Sequence, residues 1–585
     1  MFYLAYRLLI YIVAALSSQT VLIAADDISL RYRISLATTH FTEPRRDDGT
    51  VDYLAALNKL ASEGVTAENN AAVTVLQTMG SGVLSSTIER EVYELLGINS
   101  PNEDETTWIR PVMLPGIKRK RDPEAALERF WEELDEQASS PWDPIENPDL
   151  AEWLNLNELS LNQIAEALQQ DRFYLPYIQD TETPGSATSL LNIPLYGDHL
   201  LRRLIRVYAA RGQRELAKQN FAGVFRDLQA MYRICFFFSQ GMSLVENHHA
   251  GTYLVYPETL LMKCFQTMEL ATAQLEQLEE MLAGLPPHLP PWHALHHFSR
   301  VSILQAITDR KESTVASVIR KLKGTEVKSL DWDVALTTIN HHFDEWVAAA
   351  QQPTWPDQMA AITTLAEKFD QPVMGLVEFN AKFLGEEDDI QRMEMMGNQL
   401  LLLLFPRVDT ALESAAEAKT SIKLAQLLIA VKLHQQKQQE RVTSLEELQL
   451  PDKDLLVDPF SGKPFQLKHD GSWTVIYSVG PNQTDDGGYP FDDGQENDDI
   501  IFSYVRKSRH SVQRKNRSAG QTEEVPLGFL PHHRCSHHGA RPAGMERLSD
   551  LDPTGSRSVK GYHLPRRTDS RSRNARLCRR GEQAR

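Results

Sequence analysis

The stretch Leu200–Cys235 reads LLRRLIRVYAARGQRELAKQNFAGVFRDLQAMYRIC. Leu200, Leu201, Leu204, Ile205 and Tyr208 recur at helical spacing and form one apolar stripe. Phe221, Val224, Phe225, Leu228, Met231 and Cys235 form the next. Gly212 stands between them where a helix stop is expected, so the pair reads as a helical hairpin.

The helical period extends both ways from this hairpin. Glu258–Ala283 reads as a third long helix, ended by Gly284 and the breaker run Leu285-Pro286-Pro287-His288-Leu289-Pro290. Trp355–Gln439 is helix-rich, and its last member, Ala411–Gln439, keeps Ile422, Ala425, Leu428, Ile429, Lys432 and Leu433 on one face. Upstream, Ile28–Leu36 alternates like a strand, while Asp52–Glu63, Ala67–Met79 and Ser86–Leu96 read as helices. Residues 98–124 and 139–148 read as linkers, and Ser160-Leu161-Asn162-Gln163 fits a capping box. The stripes at 200–235 resemble one tetratricopeptide-type hairpin, but no steady period of roughly 34 residues follows. The expected fold is mainly α: an irregular helical-hairpin, tetratricopeptide-like body with a small C-terminal β-rich lobe. Its expected divisions are an export segment at 1–25, a small mixed segment at 26–124, the helical body at 125–410, a long helix with the lobe at 411–505, and a tail at 506–585.

Charge separates the tail from the rest. The net charge is −18, and residues 506–585 hold 19 Lys+Arg against 7 Asp+Glu, so the tail carries +12 and the preceding 505 residues −30. A body this acidic repels phosphate backbones, which excludes nucleic acid as its partner. The tail lacks apolar periodicity and is expected to be disordered. Cys235, Cys264, Cys535 and Cys578 have no metal-type spacing and build no dense disulfide framework.

Leu8–Ala25, LLIYIVAALSSQTVLIAA, is almost wholly apolar, with Arg7 before it and Asp26-Asp27 after it. This order is expected of an export signal or a membrane anchor with the body outside the cytoplasm. Both readings stay open. The expected location is the bacterial cell envelope: at the cytoplasmic membrane facing outward, or periplasmic if the segment is cleaved.

No phosphate loop, dinucleotide fingerprint, HExxH or GxSxG is present. Histidine pairs are the main candidate chemistry: His248-His249, His293 with His296-His297, and His341-His342 near Asp344 and Glu345. On a helix His293 and His297 share a face at i,i+4, a spacing able to chelate a divalent cation. A denser set, His532-His533, Cys535 and His537-His538, lies in the tail.

The segment 446–505 has the most specific pattern. Asp458-Pro459-Phe460, Gly462 and Pro464-Phe465 precede a strand pair around Gly471, then Ile476-Tyr477-Ser478-Val479-Gly480. Asp485-Asp486-Gly487-Gly488, Asp492-Asp493 and Asp498-Asp499-Ile500 follow. This order resembles the C-terminal lobe of the major pseudopilins of type II secretion. The chain as a whole looks like a group of large exported bacterial proteins of unassigned activity. The resemblance implies a structural calcium at the acidic loop, with Asp485, Asp486 and Asp498 as the ligands. No catalytic residue is assigned. The expected function is a non-enzymatic envelope scaffold or interaction module, binding an envelope protein or peptide and reaching the membrane through the N-terminal segment. The alternative is an envelope hydrolase whose site is assembled from histidines and acidic residues of the helical body.

Overall fold

The helix that begins at Tyr196 does not stop at Gly212 but runs on to Ala217. The turn falls at Lys218–Asn220, with Gln219 left-handed at φ 58° and Asn220 capping the next helix, Phe221–Ser239, through Gly223 N–H at 3.4 Å. Gly212 marks a contact instead. A Cβ there would meet the Leu260 side chain of helix Val255–Thr267 at less than 3.0 Å. Beside it Arg211 and Asp227 form an ion pair inside the hairpin, both fully buried, with Arg211 Nε 3.0 Å from Asp227 Oδ2. Asn162 Oδ1 accepts from Arg211 Nη1 at 3.1 Å, and the Tyr208 ring lies under the guanidinium. A charge so buried is tolerable because its donors are taken up.

These helices belong to a computed structural model that describes residues 31–101, 107–179, 189–308, 330–368, 376–404, 408–471, 473–488 and 498–505. The export segment, the basic tail, Asp492 and Asp493 lie outside the described residues. The fold is mainly helical with one small antiparallel sheet near the C-terminus. Among the described residues no helix is long and apolar enough to cross a membrane.

Helices Tyr53–Ala61, Ala71–Met79 and Ser86–Leu96 form where the apolar spacing places them, and Gly97 ends the third in the left-handed region. Three expectations fail locally. Residues 28–30 of the expected strand lie outside the described residues; Arg31 makes a single parallel bridge to Asp331, and Ser35 then caps a helical turn, Leu36–Thr39, where the strand was expected to end. Ser160 sits inside helix Glu158–Ala167, because Asn157 terminates the preceding helix and holds Ile109 N–H at 2.8 Å. The long helix read over Glu258–Ala283 is two, Val255–Thr267 and Thr272–Ala283. Met268 turns extended, and Ala271 N–H is taken by the Gln274 side chain at 2.9 Å.

Helix Val408–Gln438 links the two parts of the chain. Leu424, Ala425, Leu427, Leu428, Ile429 and Val431 are all buried, so this stretch is covered on nearly every side, with Gln426 half-buried. Helices Leu244–Thr252 and Thr272–Ala283 pack on it, and so does the sheet. The sheet is β1 (Gln466–Asp470), β2 (Trp473–Ser478) and β3 (Ile500–Val505), antiparallel in that order, with Leu467 opposite Ile476 and Val475 opposite Ser503. β3 was read in the sequence only as the end of the acidic loop. Tyr504 donates from β3 to Gln435 Oε1 at 2.7 Å, and the Lys432 ammonium lies between the Tyr504 and Phe265 rings.

Gly251 allows helix Leu244–Thr252 to touch helix Val408–Gln438. A Cβ at Gly251 would fall within 3.0 Å of the Ser414 backbone oxygen, and a main-chain atom inside a helix cannot turn aside. Gly251→Ala should therefore cost about 1–3 kcal/mol in chemical denaturation. Gly212→Ala should cost less than ~1 kcal/mol, since Leu260 can change rotamer and alanine gains helix propensity. The reverse ranking would show that this crossing does not seat the long helix.

Candidate functional site

Part of the long helix is left uncovered. Leu412, Ala415, Ala416, Lys419, Ile422 and Gln426 form the floor of a cleft of about 640 Å³. One wall is the loop Leu285–Pro291, which cannot be helical because its prolines supply no N–H and fix φ. Leu289 N–H donates to Ser239 Oγ at 3.1 Å, tying this loop to the hairpin. The other wall carries Trp355, stacked edge-to-face on Phe460 at 5.2 Å.

The turn Asp454–Gly462 closes one end. Lys423 donates to Asp454 O at 2.6 Å, Asp454 Oδ2 at 2.8 Å and Val457 O at 3.1 Å, so its charge is spent on that turn. Asp458, buried, accepts from Phe460 N, Ser461 Oγ, Ser478 Oγ and Val479 N at 2.8–3.3 Å. Lys419 is exposed. His288 lines the proline wall with a buried Nδ1 that has no partner, and burial pushes its pKa down to about 4. The cleft thus has mostly apolar walls, one exposed cation on the floor and one unsatisfied neutral imidazole. It was not legible in the sequence, since its walls come from four separated segments.

The histidine pairs go to different places. His249 Nδ1 lies 2.5 Å from Asp198, which Arg202 also engages at 2.9 Å. His342 bonds Glu345 and Asn398, and His341 is largely exposed. Neither pair joins the third set. His293 lies on the turn Trp292–Ala294, and His296 and His297 lie on a π-helix, Leu295–Ser299. The His293 and His297 rings are 4.9 Å apart, as the i,i+4 spacing implies. His40, which carried no signal in the sequence, packs onto them from the left-handed region at φ 62°. Its ring centroid is 5.0 Å from His296 and 5.8 Å from His297, while His296 and His297 are 4.5 Å apart. One ring nitrogen each of His40, His296 and His297 lies within 4.8 Å of the others.

Burial lowers all four pKa values. That of His40 falls to about 4, with Arg300 and His296 adding to the effect. That of His297 falls to about 3, with His296, His293, His40 and Arg300 adding. Those of His293 and His296 fall as well. Arg300 in turn is paired with Asp344 at 2.5 Å.

In the acidic loop, Asp485 Oδ1 accepts from Tyr477 Oη at 3.1 Å and Gly487 N at 2.9 Å. Asp486 Oδ2 accepts from Asp498 N at 3.2 Å, and Asp499 Oδ2 from Gly488 N at 2.8 Å. The carboxylate facing Asp485 and Asp486 is that of Asp499. Burial raises its pKa to about 6, and those two charges add to the rise. Asp498 enters through its backbone. Cys235 and Cys264 are buried free thiols, with the Cys264 pKa pushed up to about 12 by burial.

The fold thus defines a mainly helical protein with a small β lobe. No protein-family model, curated protein or solved structure matches the chain.

His288 gives a pH test. A histidine whose folded pKa lies below its unfolded value of about 6.5 leaves stability intact above that value and removes it as pH falls toward the folded pKa. His288→Gln should reduce the stability loss between pH 6.5 and 4 by up to about 1.4 kcal/mol per pH unit. Denaturation curves of both proteins across that range check this; parallel pH profiles would mean His288 is not desolvated.

Proposed function

We propose that the protein is a non-enzymatic scaffold or interaction module of the bacterial cell envelope, holding an envelope protein or peptide in the cleft over helix Val408–Gln438. The observation that carries this reading is the cleft itself, whose size is that of a binding site and whose walls are a proline loop and Trp355. Such walls suit an extended apolar segment, with Lys419 and His288 as its polar fixings. The apolar run Leu8–Ala25 supports placement outside the cytoplasm, at the membrane or released from it. The hydrolase reading has one observation in its favour, the convergence of histidines. The carboxylate that acts on His40 and His296, Asp344, is however engaged by Arg300.

The test is capture of partners from detergent-solubilised membranes by tagged wild type and by Ala415→Trp, which fills the cleft floor. A partner held by the wild type should be lost at least ~tenfold, ~1.4 kcal/mol, in the variant at unchanged melting temperature. A partner retained equally, or none at all, overturns the reading.

Calcium at the acidic loop belongs to the same proposal. It is supported by the pseudopilin resemblance and by the approach of Asp485, Asp486 and Asp499, since calcium takes six to eight oxygens in flexible geometry. Millimolar calcium should raise the melting temperature relative to chelator, and Asp485→Ala should abolish the rise. An unchanged wild-type melt removes calcium from the reading.

A further inference from the structure

We propose that His40, His296 and His297 form a three-imidazole site for a divalent transition-metal ion of the zinc class, a site separate from the cleft and from the acidic loop. The three residues reach one point from segments 256 positions apart, and one nitrogen of each lies within 4.8 Å of the others. A tetrahedral zinc bound at about 2.0–2.1 Å needs its nitrogens roughly 3.3 Å apart. Closing the difference requires side-chain rotation.

Two backbone features bring the rings together. Neighbouring residues on an ordinary α-helix point about 100° apart. The π-helix Leu295–Ser299 instead brings the rings of His296 and His297 to 4.5 Å, and such insertions in helices are concentrated at functional sites. His40 adopts a left-handed conformation that a residue with a Cβ seldom takes, and it is held there with its ring on His296.

The polar bookkeeping also points to a ligand. His297 Nδ1 is buried and has no hydrogen-bond partner, which costs stability unless something binds it. All donors in the set are imidazoles, a ligand type suited to zinc, copper and nickel and poorly suited to calcium or magnesium. Three protein ligands leave a fourth position open, and the His293 ring lies 4.9 Å from that of His297. Arg300 Nη2 reaches His296 Nδ1 at 3.4 Å, a weak contact, and its charge is balanced by Asp344. Metal on one nitrogen of His296 makes the other a donor, so this contact yields on binding.

The test uses the full untagged chain and Zn²⁺ as probe, read by calorimetry and by melting temperature, with Co²⁺ as a spectroscopic reporter of imidazole coordination. The tail histidines and Cys535 form a competing cluster, so a variant with His532, His533, His537 and His538 changed to Gln and Cys535 to Ser serves as the background. One Zn²⁺ should bind in that background and raise the melting temperature. His40→Gln and His297→Gln should each weaken it by ~100-fold and remove the Co²⁺ bands, while His341→Gln leaves both unchanged. If His297→Gln melts early without metal, His40→Gln on its own decides, because it removes a ligand and leaves the π-helix intact. Loss of all zinc binding in the tail-substituted background, or full binding in His40→Gln, overturns the site. Neither outcome bears on the cleft, whose partner is read separately with Ala415→Trp.

Discussion

Between Leu424 and Val431 every residue of helix Val408–Gln438 except Gln426 is buried, and this one constraint organises the rest of the described chain. A nearly all-apolar circumference is stable only if neighbours cover it. Three elements pack on the helix: helix Leu244–Thr252, which crosses it at Ser414, helix Thr272–Ala283, and the sheet of the C-terminal lobe. Phe460, Ile476, Phe502 and Tyr504 of the lobe therefore belong to the same continuous core as the helical body. Cover is incomplete on the face of Ala415, Ala416 and Ile422, which are only half-buried, and the cleft lies there. The cleft is thus a consequence of how the long helix is packed.

The apolar stripes at 200–235 were enough to identify the hairpin, because burial against a partner helix dictates their period. They were not enough to place its turn. Glycine signals a helix end when it must adopt a left-handed conformation, but it serves equally where another helix comes too close for a Cβ. Gly212 is the second kind and Gly97 the first, and local sequence does not separate them. The break at Met268 has the same character, since no proline or glycine announces it. In the lobe, β1 and β2 were readable from alternation and from Gly471. Ile500–Val505 was obscured by the aspartates before it, and its pairing partner β2 lies more than twenty residues upstream.

The candidate sites divide along the same line. His293 and His297 could be paired from their spacing alone, because a helix converts sequence separation directly into shared faces. His40 could not, because its position is set by the tertiary packing of the N-terminal segment against Asp331, Trp332 and Asp333. A π-helix is invisible to a period search, so the convergence of the adjacent His296 and His297 was hidden as well. In the acidic loop the composition was plain, but only the strand pairing of β3 decides that Asp499, with its neighbour Ile500 opposite Ser478, faces Asp485 and Asp486.

The cleft and the histidine cluster are joined by chain continuity. The proline wall Leu285–Pro291 leaves helix Thr272–Ala283, which rests on the long helix, and enters Trp292 and the π-helix directly. Helix Trp332–Ala350 carries Asp344, the partner of Arg300, and its last residue begins the opposite wall, which continues through Pro353 and Thr354 to Trp355. Fixing His296 and His297 against His40 therefore fixes the downstream end of one wall, and Arg300 with Asp344 relates it to the other. On the proposal of a metal at that cluster, an occupied site adds coordinate bonds just beyond the end of the proline wall, whereas an empty one leaves the imidazoles held by packing alone.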